Sequence, residues 1–152
     1  MEHVPSGAMT RQLRDTLSVV RSDEHGSSRL LRAVSRKDIG YCRALLAANA
    51  DPNTGSKYSH WDSKSPLHLA AAMGQDDIVR MLLDARARTE TRDGNRYTPL
   101  LMAASEGHAG IVKALLDNGA CHTAEDQHTQ SSMYVAAGAG HVDVLQRLIV
   151  TP

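Results

Sequence analysis

The feature that most constrains this chain is a 33-residue period. Ser65-Pro66-Leu67-His68-Leu69-Ala70-Ala71 returns as Thr98-Pro99-Leu100-Leu101-Met102-Ala103-Ala104 and, degraded, as Ser131-Ser132-Met133-Tyr134-Val135-Ala136-Ala137. A second string keeps the same register: Ile78-Val79-Arg80-Met81-Leu82-Leu83, Ile111-Val112-Lys113-Ala114-Leu115-Leu116 and Val144-Leu145-Gln146-Arg147-Leu148-Ile149. Gly74, Gly107-His108 and Gly140-His141 stand between the strings. A chain with this period folds by stacking one small unit, and each unit buries its apolar side against its neighbours.

Local chemistry says what the unit is. Ser65 and Thr98 can cap a helix, with Pro66 and Pro99 at the first helical position, where a missing N–H costs nothing. Leu67, Ala70 and Ala71 then share one face, and the alanine pairs allow close helix approach. Gly74, Gly107 and Gly140 end that helix, and each can take a positive φ. The Ile/Val and Leu/Leu pairs form the buried stripe of a second helix, and Gly119-Ala120 ends one such helix similarly. The stretch up to the next Thr-Pro projects as a turn. An imperfect earlier unit aligns Arg29–Val34 with Pro66–Ala71 and Leu45-Leu46 with Leu82-Leu83. Four extra residues fall within Thr54–Lys64. Upstream, Leu13, Leu17 and Val20 predict a helix over 10–20, either a capping half-repeat or a polar helix without a partner.

These strings resemble the ankyrin repeat, whose period is 33 and whose hallmark is Thr-Pro-Leu-His followed by Ala-Ala. The resemblance runs from about Ser27 to Val150. It implies an all-α solenoid of helix–turn–helix repeats with projecting finger loops. The expected division is an extension over 1–26 and repeats at about 27–60, 61–97, 98–130 and 131–152, the last incomplete. Functionally it implies a module that binds a protein or peptide on the concave surface of finger tips and first helices. The alternative is a regulatory segment of a larger enzyme, channel or receptor, docked on the rest of its own chain. Carried over by register, the partner-facing residues are Trp61, Asp62, Met73, Asn95, Tyr97, Ser105, Glu106 and His128, centred on the second and third repeats.

Composition narrows the rest. Lys and Arg total 17 against 17 Asp and Glu, so there is no overall basic footprint for nucleic acid. Arg86, Arg88, Arg92 and Arg96 cluster, but Glu90 and Asp93 interrupt the run and only Tyr97 is an aromatic neighbour. No apolar run approaches the ~20 residues of a membrane span. Two cysteines, Cys42 and Cys121, are too few for a disulfide framework, and the cytoplasm or nucleus is the expected compartment. No nucleophile elbow, phosphate loop or His-Glu-x-x-His motif occurs, so no catalytic residue, cofactor or metal is expected. Cys121-His122 with His128 lacks the paired ligands of a zinc site. His68 resembles the family's Thr-Pro-Leu-His histidine, which bonds backbone between repeats, and the register of His108 and His141 reads as packing. Leu101 and Tyr134 replace that histidine later, which puts those bonds in doubt.

Three segments invite more specific readings. Trp61 is the only tryptophan in a chain without Phe. It is either a binding hot spot or a prop for a long finger. With Tyr58 and Tyr97 it could form a cage for a methylated lysine, if the rings converge. Asn53, after Asp51-Pro52, resembles loop asparagines that some hydroxylases modify; the plainer reading is an Asn bonding its own turn. The last helix, Val142–Val150, keeps the apolar stripe of an internal repeat. Terminal repeats usually turn a polar face outward. The expectation is therefore a chain cut from a longer protein, or another surface covering this end, with self-association through the uncapped helix.

Overall fold

The computed structural model describes residues 29–55 and 63–150. Eight helices run through them: α1 (Arg29–Ser35), α2 (Ile39–Ala47), α3 (Pro66–Ala72), α4 (Asp76–Asp84), α5 (Pro99–Glu106), α6 (Ala109–Asp117), α7 (Ser132–Ala139) and α8 (Val142–Val150). The helix expected over 10–20 lies outside the described residues, as do Tyr58, His60, Trp61 and Asp62.

The caps are where the sequence places them. Ser65 Oγ accepts from His68 N at 3.3 Å, and His68 Nδ1 accepts from Ser65 N at 3.2 Å, a reciprocal cap at the start of α3. Thr98 Oγ1 accepts from Leu101 N, and Ser131 Oγ from Tyr134 N. Gly107 and Gly140 close α5 and α7 with φ of 80° and 76°, and Gly74 has φ 68° after α3.

Each first helix packs on its own second helix. The first helices α1, α3, α5 and α7 also form one row, and the second helices α2, α4, α6 and α8 another. Between the rows lie the residues of the two periodic strings. Leu67, Ala70, Ala71, Ile78, Val79 and Leu82 are fully buried, and so are their partners 33 residues on, Leu100, Ala103, Ala104, Ile111, Val112 and Leu115. In α7 and α8 only Ala136, Val144 and Leu148 of that pattern are buried. Among the described residues the sole β feature is an isolated bridge between Glu125 and Ser131.

Polar struts tie successive repeats, and they too follow the period. His108 Nε2 donates to Ala72 O at 3.2 Å, and His141 Nε2 to Ser105 O at 2.9 Å. Gln75, one period earlier, donates its Nε2 to Val34 O at 3.0 Å. Gly74 and Gly107 lie beneath the two rings: a Cβ on either would stand 2.7 Å from a carbon of His108 or His141. On the other side, Asn53 Oδ1 accepts from Arg88 N at 2.7 Å, and Glu90 Oε1 accepts from Cys121 N at 2.9 Å. Asn53 therefore braces the next repeat as well as shaping its own turn, where its N–H meets Asp51 Oδ1.

His68 is the most enclosed of these groups. Its Nδ1 is an acceptor, so its proton sits on Nε2, which donates to Tyr97 O at 2.8 Å. Burial holds its pKa below the ordinary value. Below about pH 6.5 the unfolded chain binds a proton at this position that the folded chain refuses, so stability falls with acidity. Urea midpoints should therefore drop between pH 7.5 and 5.5, and drop less in His68→Leu, which copies the leucine that Leu101 supplies at the equivalent place. Equal drops would mean that His68 is not the source. Asp126 acts in a separate, lower window. Burial raises its pKa, but N–H donation from Gln130 and His128 outweighs that and leaves it below the usual carboxylate value.

Candidate functional site

The finger loops are built by buried carboxylates. Asp93 Oδ1 accepts from Asn95 N at 2.9 Å and Tyr97 N at 2.8 Å. Asp126 Oδ1 repeats this with His128 N at 2.7 Å and Gln130 N at 2.9 Å. Each finger closes through its own backbone, Asp93 N to Tyr97 O and Asp126 N to Gln130 O, and turns through a left-handed residue, Arg96 or Thr129. Neighbouring fingers are joined by Gln127 N to Asn95 O at 3.3 Å and by Arg92 Nη1 to Glu125 O at 2.6 Å. These bonds fix where the finger side chains start.

Asn95 and Tyr97 lie on the finger leading into α5, and Ser105 and Glu106 lie at the far end of α5. Met73 directly follows α3, one period before Glu106. His128 is on the next finger, its ring beside Gln127 Nε2 at 3.2 Å. Asn95, Glu106, Met73 and His128 are exposed; Tyr97 and Ser105 are half-buried. Two rows thus flank the first helices, fingers at one end and Met73 and Glu106 at the other. A helix of this length separates them by roughly 10–12 Å. Ser105 also gives its carbonyl to His141. Trp61 and Asp62 lie outside the described residues, so the proposed aromatic cage has only Tyr97 placed.

Tyr97 has the most firmly held backbone of these residues. Its N–H is held by Asp93, and its carbonyl accepts from both His68 and Asp93 N. Burial, then the carboxylates of Asp126 and Asp93, push its phenol above the ordinary value, so it remains a neutral hydroxyl. The arrangement displays side chains on a fixed frame.

The remaining chemistry is sparse. Among the described residues no three His, Cys, Asp or Glu side chains are grouped to hold a metal ion. Cys121 is exposed with Sγ 3.2 Å from Thr123 Oγ1. Cys42 is buried, and burial, then the charge of Asp38, raise its thiol to about 11. No helix among the described residues is long and apolar enough to cross a membrane. A shallow cleft of about 200 Å³ is lined by Lys37, Ile39 and Gly74–Ile78, at the starts of second helices and away from the fingers.

Sequence reasoning missed Gln75, Asp93 and Asp126. Each was legible in the period: Gln75 falls 33 residues before His108, and Asp93 falls 33 before Asp126.

A family model for ankyrin repeats, three copies long, matches residues 9–93 and again 67–151. Potassium channel KOR1 of Oryza sativa subsp. japonica is 37% identical over 70 residues, which is 46% of this chain and 8% of the channel. Serine/threonine-protein kinase 12 of Arabidopsis thaliana is 32% identical over 68 residues, 45% of this chain and 14% of the kinase. The chain therefore spans a small part of these curated relatives. The ankyrin family is a non-catalytic fold whose members bind other proteins. By period, caps, helix rows and family match, the chain belongs to the ankyrin-repeat family.

Proposed function

We propose that this chain binds an extended segment of a protein partner along the concave surface, through Met73, Asn95, Tyr97, Ser105, Glu106 and His128, without catalysis of its own. The observation that carries the reading is Tyr97, an accessible aromatic ring on a backbone fixed at both its N–H and its carbonyl. Little conformational freedom remains to be lost there on binding. An aromatic on the finger row, with an exposed methionine and a carboxylate at the other end of the first helices, suits a surface that grips an extended segment. Trp61 and Asp62 extend the same stripe by register. The two free thiols suit a reducing compartment, cytoplasm or nucleus.

Affinity capture from cell lysate, followed by mass spectrometry, tests this. Tyr97→Ala with Met73→Ala should lose the partner by tenfold or more, while Lys113→Ala, on the exposed side of α6, should keep it. A partner retained equally by the unaltered chain and both variants rules the surface out. A second reading is favoured by the relatives, a channel and a kinase matched over a minor part of their length. In that reading the stack is a regulatory segment and its partner is the remainder of a larger chain.

A further inference from the structure

Charge balances over the whole chain but not along the stack. Residues 29–55 carry five Lys and Arg against two Asp and Glu, a surplus of three positive charges. Residues 98–150 carry two against five, a surplus of three negative charges. The concave side repeats this gradient with one residue per repeat. Arg36 directly follows α1, Met73 directly follows α3, and Glu106 and Ala139 are the last residues of α5 and α7. These four share one register position, and all four are exposed. The row therefore reads cation, thioether, carboxylate, methyl.

Arg36 and Glu106 keep their charge for an outside group. Among the described residues neither stands in an ion pair. Lys37 differs, because it lines the shallow cleft together with Asp76 and Asp77 and offsets their charge there. Four residues before each member of the row, on the same helix face, stand Arg32, Leu69, Met102 and Val135. Leu69 is buried, and Met102 and Val135 are half-buried, so the middle of the row rests on apolar surface. Packed helices lie about 8–10 Å apart. An extended segment advances about 3.3 Å per residue, so roughly three of its residues span one repeat.

We propose that the concave surface selects an extended segment of a separate protein in which an acidic, an apolar and a basic residue follow one another at three-residue steps. The acidic residue meets Arg36, the apolar one Met73 and the basic one Glu106. The order is set by the stack, so it holds for either chain direction of the segment. Asp93 and Asp126, buried in the fingers on either side of Tyr97, add to the negative end. A segment that is acidic throughout, or basic throughout, meets its own sign at one end and is rejected there. This inference rests on the concave-surface reading and adds the chemistry of the partner.

The test selects random peptides displayed on phage against the 152-residue chain, against Arg36→Glu and against Glu106→Arg. Both positions are exposed, so the reversals should leave the fold intact, which circular dichroism checks. The unaltered chain should enrich acid, apolar and base at three-residue steps. Arg36→Glu should enrich a base at both ends, and Glu106→Arg an acid at both ends. A peptide selected on the unaltered chain should bind each variant roughly tenfold more weakly, and reversing the matching peptide charge should restore binding. One common pattern enriched by all three chains overturns the inference. If Tyr97→Ala with Met73→Ala then abolishes binding of that pattern, the concave-surface reading stands without the charge order. If binding survives that double variant, both fall. No enrichment on any chain also overturns both.

Discussion

Leu115→Ala is expected to destabilise the protein by about 2–5 kcal/mol, the range for deleting a leucine side chain from a packed core. Leu115 is 0% exposed in α6, and α6 lies between α4 and α8. Its own backbone carbonyl receives Asn118 N and Ala120 N at the helix end, which leaves the chain little freedom to collapse into the cavity. In a stack, stability is close to a sum of repeat and neighbour-interface contributions, so one cavity here weakens both interfaces of the third repeat. Urea denaturation followed by far-ultraviolet circular dichroism gives the loss, and Leu82→Ala should behave alike. Ile149→Ala is the control, an exposed apolar residue whose loss should stay within roughly 0.5 kcal/mol. A Leu115→Ala cost below about 1 kcal/mol would show that the stack does not close around this side chain.

The contrast between Leu115 and Ile149 also marks what could be read without a structure. Period, caps and helix punctuation are local: Ser65 must accept from His68 N, and a glycine with positive φ must end α5, whatever surrounds them. The burial of the internal strings follows, since repeats above and below are made of the same sequence. Exposure at the end of the stack does not follow from any string. Val144-Leu145-Leu148-Ile149 reads like an internal repeat, yet only Val144 and Leu148 are buried. The struts lie between these cases. Gln75 does not resemble His108, but both carry a side-chain N–H donor, and donation rather than residue identity is what the position demands. Asn53 reads as a turn former, and its bond to Arg88 N joins residues far apart in sequence, which no local pattern encodes. The concave residues are the least legible. Their role in folding is carried by the backbone, as with Ser105 O and Asn95 O, so the side chains are free to vary with the partner.

Gly107→Ala should cost about 2–4 kcal/mol, and its two parts can be separated. The first is backbone strain: at φ 80° a Cβ crowds the following carbonyl, at roughly 1–2 kcal/mol. The second is collision, because the new methyl would lie 2.7 Å from both Cε1 and Nδ1 of His141. The ring must then shift and give up its 2.9 Å bond to Ser105 O, a further loss of about 0.5–1.5 kcal/mol before any repacking. Gly140→Ala carries the first cost alone, since φ is 76° and nothing stands within 4 Å of its Cβ position. The difference between the two variants therefore isolates the imidazole seat. A double-mutant cycle sharpens it: in a His141→Ala background, Gly107→Ala should cost no more than Gly140→Ala does in the unaltered chain. If Gly107→Ala and Gly140→Ala cost the same in the unaltered chain, the glycines serve only their own turns. The imidazole bond would then add nothing to the joint, which would rest on apolar contact and on the bonds between fingers and loops. The imidazole bond ties the third repeat to the fourth, so a loosened seat at Gly107 should weaken capture of a partner that spans Tyr97 and His128, even though the residue lies off the proposed contact surface.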